Sequence, residues 1–189
     1  METKSQLRKK ILNIRNNMSQ EEVINKSDLI MNKLINLDEF KKSKTVFIYM
    51  NFNNEVVTSN LIKKMLSNNK RVVIPYTDTK NTVIIPSEII NLEDDLVLNS
   101  FGYYEPSYEK IRIVEPEEFD LIVTPGVVFD EELNRVGFGK GYYDRILNKK
   151  RKDAKVVAVA YDFQVLNEVP TEEHDVKMDM IITEENIYK

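Results

Sequence analysis

Eleven consecutive residues, NRVGFGKGYYD from Asn134 to Asp144, contain Gly137, Gly139 and Gly141, three of the chain's five glycines, alongside Arg135, Lys140 and the adjoining Arg145. Glycine reaches positive φ without penalty and leaves no Cβ between a ligand and successive backbone N–H groups. With cations beside it, such a loop fits a cradle for phosphate, and a helix predicted from Tyr142 would turn its first N–H groups and dipole toward the same anion. GFGKG is one residue short of GxGxxG, and Lys140 is followed by Gly141 rather than Ser or Thr, so neither a dinucleotide fingerprint nor a P-loop is present. The competing reading is a surface turn whose basic residues are simply solvated. Asp144 suits Mg²⁺, which takes one or two carboxylates and fills its other positions with water and phosphate oxygens. It equally suits a first-turn helix position favoured by the dipole.

Other residues offer chemistry at a distance from this loop. Lys4 and Arg8 stand one helical turn apart, where two cations grip one phosphate or merely form a solvated basic face. Glu55 lies in a predicted turn after a strand, among Asn53, Asn54 and Thr58, and either accepts hydrogen bonds from a polar ligand or is an ordinary loop Glu. FGYYEP, Phe101 to Pro106, presents aromatic faces suited to a flat heterocycle, although Tyr103 and Tyr104 read equally well as core. The single histidine, His174 in EEHDVKMD, has no His or Cys partner nearby in sequence, and a structural role is favoured.

The elements that must position these residues alternate. Leu7, Ile11 and Ile14 recur at helical spacing over residues 3–16, and Ser19 with Glu22 forms a capping-box pattern that opens a second helix to about Leu37. Strand TVFIYM (Thr45 to Met50), a helix from Thr58, strand RVVIPY (Arg71 to Tyr76) and strand TVIIP (Thr82 to Pro86) follow. A polar stretch to about Glu118 reads as an elaborated loop; then come DLIVTP (Asp120 to Pro125), the glycine cluster, a helix from Tyr142, KVVAVAY (Lys155 to Tyr161) and MDMIIT (Met178 to Thr183). Continuous Val/Ile runs suit strands buried on both faces. The expectation is an α/β fold, a single three-layer domain over residues 1–189 with a largely parallel sheet flanked by helices and ligands beyond the carboxyl ends of its strands.

Composition narrows the rest. The net charge of −4, from interleaved acids and bases, suggests no broad attraction to nucleic acid or to an anionic membrane. An RNA-binding module is further disfavoured by the lack of an RNP-like aromatic motif. The absence of Cys excludes disulfides, thiolate metal sites and a Cys nucleophile. METKSQLRKK lacks an apolar h-region behind its charges, and no apolar run is long enough to span a bilayer, so a cytoplasmic monomer is expected.

The stretch TPGVVFDEELNRVGFGKGYYDRIL, Thr124 to Leu147, resembles the signature of the 5-formyltetrahydrofolate cyclo-ligase (methenyltetrahydrofolate synthetase) family. KxxLR at Lys4 and Arg8, EVxT at Glu55, GxxEP at Gly102 to Pro106 and HDVKxD at His174 follow the family in the same order. The resemblance implies ATP- and Mg²⁺-dependent cyclisation of 5-formyltetrahydrofolate to 5,10-methenyltetrahydrofolate, with ADP and phosphate released. It implies catalytic phosphate contacts for Arg135 and Lys140, and nucleotide contacts for Lys4, Arg8, Gly137, Phe138, Gly139, Gly141, Tyr142 and Tyr143. Folate contacts are implied for Glu55, Phe138, Lys140, Tyr142, Tyr143 and Tyr104, and Mg²⁺ contacts for Asp144 and Asp175. Leu133 stands where the family commonly has Gly, so Asn134 is expected to take the left-handed turn position before Arg135. Without the resemblance, an anion loop on an α/β sheet also fits a sugar-phosphate isomerase, a CoA-transferase-like enzyme, or a nucleotide-binding regulator without turnover.

Overall fold

The computed structural model describes residues 2–189. Helix α1 (Lys4–Asn16) starts at a complete capping box, in which Thr3 Oγ1 accepts from the Gln6 N–H and the Gln6 side chain accepts from the Thr3 N–H. Helix α2 (Gln20–Asn36) is opened in the same way by Ser19 and Glu22, as the sequence predicts. The short α3 (Asp38–Lys42) leads to strand β1 (Thr45–Ile48), helix α4 (Ser59–Ser67) and the long strands β2 (Arg71–Asp78) and β3 (Val83–Ile89).

The stretch expected to be a loop instead folds into α5 (Leu92–Asp95), the hairpin strands β4 (Leu96–Leu98) and β5 (Tyr104–Pro106), and two 3-10 turns. Beyond it lie β6 (Leu121–Thr124), the antiparallel pair β7 (Val128–Asp130) and β8 (Arg135–Val136), and α6 (Tyr142–Leu147). The chain ends with β9 (Lys155–Val159), β10 (Val165–Leu166), β11 (Met180–Ile182) and β12 (Ile187–Tyr188).

The main sheet runs β12-β11-β9-β6-β1-β2-β3. Its five central strands are parallel, and the outer strands β3 and β12 are antiparallel to their neighbours. Alternating side chains feed the two faces. Val46 and Ile48 join α2, α3 and α4 through Ile30, Phe40 and Ile62, whereas Phe47 joins Phe119, Phe129 and Ile146 on the other face. This is the expected helix–sheet–helix layering.

A second sheet, β10-β7-β8, stands beyond the main one. Helix α1 packs Leu7 and Ile11 onto it, against Val127, Val128 and Val136. The glycine cluster therefore does not follow β6 directly; the β7–β8 hairpin intervenes and carries Arg135 into position. The turn in that hairpin also differs from expectation. Leu133 itself takes the left-handed conformation at φ 68°, because Asp130 holds the Asn134 N–H and side-chain amide, each at 2.9 Å.

Candidate active site

Strands β1 and β6 are neighbours, yet the chain leaves β1 toward β2 and β3 and leaves β6 toward β9 and β11. A parallel sheet opens a crevice at the carboxyl ends of strands where its order reverses in this way. The loop after β1 brings Glu55 to that crevice, the loop after β6 brings Pro125, and the loop after β9 brings Tyr161. An open cleft of about 670 Å³ runs from there between the start of α1, the glycine loop and the segment Pro170–Asp175.

Arg135 forms the floor of the cleft. Its residue is 6 % exposed; Nη2 donates to Asp144 Oδ1 at 2.9 Å, Nη1 donates to Pro125 O at 3.5 Å, and Nε has no partner. Gly137 makes room for this guanidinium, since a Cβ there would lie 2.8 Å from Arg135 Nη1. Arg8 Nε donates to Gly137 O at 2.6 Å, and its guanidinium lies against Gly139, whose φ is 93°. The two arginines thus grip the loop from below and from the side, and they leave its backbone N–H groups near fixed positive charge.

Lys140 is exposed, and its ammonium has no protein partner among the described residues. Its carbonyl accepts from Arg145 Nη2 at 2.8 Å; the same nitrogen donates to Thr82 O at 2.7 Å, and the Arg145 guanidinium lies over the Tyr142 ring. Arg145 therefore ties the loop to the β2–β3 turn. Helix α6 has six residues, so its dipole adds little and the arginines and lysines supply most of the field.

At the cleft mouth Lys4 Nζ lies 2.6 Å from Asp175 Oδ2 and 3.3 Å from Glu172 Oε2. Burial opposes ionisation of Asp175, but the bond from Lys4, the Glu172 N–H and the charge of Lys4 outweigh it and hold the carboxyl below the usual range. Ligand atoms of Glu172, His174 and Asp175 lie within 4.8 Å of one another. Oxygen donors at Asp144 and Asp175 on either side of a cationic cleft suit a hard divalent cation that shares phosphate oxygens, although each carboxylate is already paired with a cation.

The second half of the site lies deeper. Glu55 is 6 % exposed, and one carboxylate oxygen accepts from the Phe52 N–H at 3.0 Å. Burial pushes its carboxyl up to about 7, against the opposing charge of Arg15 and the Phe52 bond. Tyr143 connects the two halves: Arg135 Cζ stands 5.7 Å from its ring centroid, and its phenol is raised by burial and by the nearby charge of Glu55. Tyr103 packs edge-on to Phe52, with centroids 5.5 Å apart, and stacks on Phe101. Its neighbour Tyr104 is 52 % exposed on β5, so Tyr103 is the member of that pair that faces this region.

The structure therefore brings together around one cleft Lys4, Arg8, Arg135, Gly137, Phe138, Gly139, Lys140, Gly141, Tyr142, Tyr143, Asp144 and Asp175. Glu55, buried in the loop after β1, and Tyr104, exposed on β5, do not line it. Of the residues that the structure brings near these groups, Glu172 and Arg15 are not singled out by the sequence, whereas Tyr103 belongs to the aromatic FGYYEP stretch. Glu172 stood within the motif around His174, whereas nothing in the local pattern of Arg15 separates it from its basic neighbours.

Residues 1–184 match the 5-formyltetrahydrofolate cyclo-ligase family. A probable 5-formyltetrahydrofolate cyclo-ligase of Schizosaccharomyces pombe is 32 % identical over 173 residues, covering 85 % of this chain and 84 % of the relative. A 5-formyltetrahydrofolate cyclo-ligase of Haemophilus influenzae is 30 % identical, covering 93 % and 94 %. The solved 5,10-methenyltetrahydrofolate synthetase of Aquifex aeolicus superposes with a TM-score of 0.86 at 38 % identity, covering 98 % of this chain and 92 % of that one. The corresponding Mycoplasma pneumoniae structure gives 0.78 at 28 %, covering 96 % and 98 %. With a cationic glycine-loop cleft joined through Tyr143 to a buried carboxylate, and with this match over nearly its whole length, the chain belongs to the 5-formyltetrahydrofolate cyclo-ligase family of enzymes.

Proposed function

We propose that this chain converts 5-formyltetrahydrofolate to 5,10-methenyltetrahydrofolate, with ATP as phosphoryl donor and Mg²⁺ bound alongside the phosphates. The observation that carries the reading is the composition of the one cleft: Lys4, Arg8, Arg135 and Lys140 surround a glycine loop, and the Tyr142 and Tyr143 rings line the same space, so a phosphate chain and a flat heterocycle fit side by side there.

A formamide carbon is a poor electrophile because nitrogen donates into it, and its oxygen is a poor leaving group. Attack of the formyl oxygen on the γ-phosphorus forms an O–P bond, breaks the bond to ADP and leaves an iminium phosphate. N10 of the same folate then adds to the formyl carbon and loses its proton, and phosphate departs with the C–O electron pair. Nucleophile and electrophile belong to one substrate, so the protein's task is alignment and charge neutralisation.

Arg135 and Lys140 would oppose the charge of the transferring group, with Lys4 and Arg8 on the outer phosphates. Lys140, exposed on the glycine loop and without a protein partner for its ammonium among the described residues, is the donor best placed to meet a phosphate oxygen. Asp144 and Asp175 would hold Mg²⁺, which supplies charge neutralisation at the phosphates when bound. Glu55, with Tyr143 and the aromatic group Phe52, Tyr103 and Phe101, would orient the pterin.

The test is near-ultraviolet detection of methenyltetrahydrofolate after mixing the protein with 5-formyltetrahydrofolate, ATP and Mg²⁺. Product is expected only with all three present, with ADP formed in equal amount. Product formed equally well without ATP, or none from folded protein that binds ATP, would overturn the reading.

A further inference from the structure

The segment at the cleft mouth that carries Glu172 and Asp175 is fastened at both ends to one turn, the one between β7 and β8. At its start the Val169 N–H donates to Asp130 Oδ2 at 3.0 Å, and at its end the Met178 N–H donates to Leu133 O at 2.9 Å. Glu132 of the same turn lies 4.0 Å from Lys177 Nζ. Val169 and Met178 are buried anchors, whereas Glu172 and His174 between them are exposed. Among the described residues, the segment's remaining polar ties to the fold come from Lys4, which meets Asp175 and Glu172 across the mouth.

Asp130 holds that turn together, and it is fully buried. Its Oδ1 accepts from the Asn134 N–H at 2.9 Å, and its Oδ2 accepts from Asn134 Nδ2 at 2.9 Å as well as from Val169. Three N–H donors converge on two oxygens, an arrangement that only an acceptor-only carboxylate satisfies. The same bonds fix Leu133 at φ 68°, and its carbonyl then holds Met178. Arg135 follows Asn134 directly and pairs with Phe129, the residue before Asp130. The floor of the cleft and its mouth therefore take their places from one carboxylate, which lines no part of the cleft itself.

We propose that Asp130 is a positioning residue for nucleotide binding: by holding both the β7–β8 turn and Val169, it sets Glu172 and Asp175 opposite Lys4 without touching a ligand. The proposal rests on the reading that phosphates and Mg²⁺ bind between α1 and this segment. It predicts a split between the two ligands. The mouth segment depends on Asp130, whereas Phe52 and Glu55 belong to the loop after β1, to which Asp130 makes no bond. A merely structural role would weaken both ligands together or neither.

Asp130→Asn keeps the shape of the side chain but turns one oxygen into an NH₂ group facing an N–H that it formerly accepted. Calorimetry on the intact protein should show ATP with Mg²⁺ binding about tenfold more weakly to this variant, and 5-formyltetrahydrofolate binding within about twofold of wild type. Unchanged nucleotide affinity, or an equal loss for both ligands, overturns the proposal. Amide hydrogen exchange supplies a readout that needs no ligand. The bonded amides of Glu172, Asp175 and Met178 should exchange about tenfold faster in Asp130→Asn, with β1 unchanged, and equal rates in the two proteins overturn the proposal. Should the variant fail to fold, the wild-type Val169 and Met178 amides decide: both should be protected and slow together when ATP and Mg²⁺ are added, and an unprotected Val169 amide overturns the proposal. A wild type that binds no ATP would count against the cyclisation reading, and the exchange comparison would still decide whether Asp130 positions the mouth.

Discussion

Arg135 and Asp144 form a closed pair at the floor of the cleft, with Nη2 and Oδ1 2.9 Å apart and side-chain exposures of 4 % and 17 %. Removing the carboxylate strands a guanidinium that is already short of partners. Asp144→Ala is therefore expected to cost about 3 kcal/mol of stability. Asp144→Asn keeps an acceptor in place and should cost about 1 kcal/mol. Both should lose cyclisation. Urea unfolding beside the product assay separates the two effects, and equal unfolding midpoints for Asp144→Ala and wild type would mean the pair contributes nothing.

Lys140 presents the opposite case. Its ammonium is exposed and makes no bond that the fold depends on. Lys140→Ala should leave stability within about 0.5 kcal/mol of wild type. Product formation should fall by roughly a hundredfold, as for removal of one group that stabilises transition-state charge. A small decrease in rate would move Lys140 out of the phosphate site.

The elevated Glu55 carboxyl has a consequence for stability that runs opposite to most acids. Its ordinary value of 4.5 in the unfolded chain rises to about 7 in the fold. Between those values the native state binds the extra proton, so stability falls as pH rises. Glu55→Gln removes that penalty. The variant should be more stable than wild type by about 3 kcal/mol at pH 8, with the difference vanishing below about pH 4, while folate turnover drops. Thermal unfolding across this range tests the sign; a variant less stable at pH 8 would contradict it.

The Asp175 carboxyl is held below its unfolded value, so its contribution is present at neutral pH and lost as pH falls through the folded value. Lys4→Met should remove about 1 kcal/mol at pH 7, and the gap should close in acid below the ordinary aspartate range. ATP binding measured by calorimetry should weaken by about tenfold. Unaltered ATP affinity would leave Lys4 as a partner of Asp175 only.

Where local rules decide, the chain was readable. The Ser19–Glu22 capping box, the helical periods and the buried parallel strands follow from spacing alone, whereas the Thr3–Gln6 box that opens α1 emerges only in the structure. The β7–β8 hairpin was missed because its strands are short, wholly buried and paired in part with distant β10, which periodicity cannot register. The turn at Leu133 escaped for another reason. Asn134 is the better left-handed residue in isolation, but Asp130 binds its backbone and side chain, and the strain passes to its neighbour.

The bond between Lys4 and Asp175 spans 171 residues of sequence. Forming it closes almost the entire chain into one loop, so the cleft mouth is an end product of folding rather than a local motif. Nascent chains still missing their last thirty residues can build part of the sheet but cannot complete this mouth. The same geometry makes nucleotide a clasp across the fold: a ligand that binds both the start of α1 and the Pro170–Asp175 segment must slow the release of α1, which amide hydrogen exchange along that helix would record.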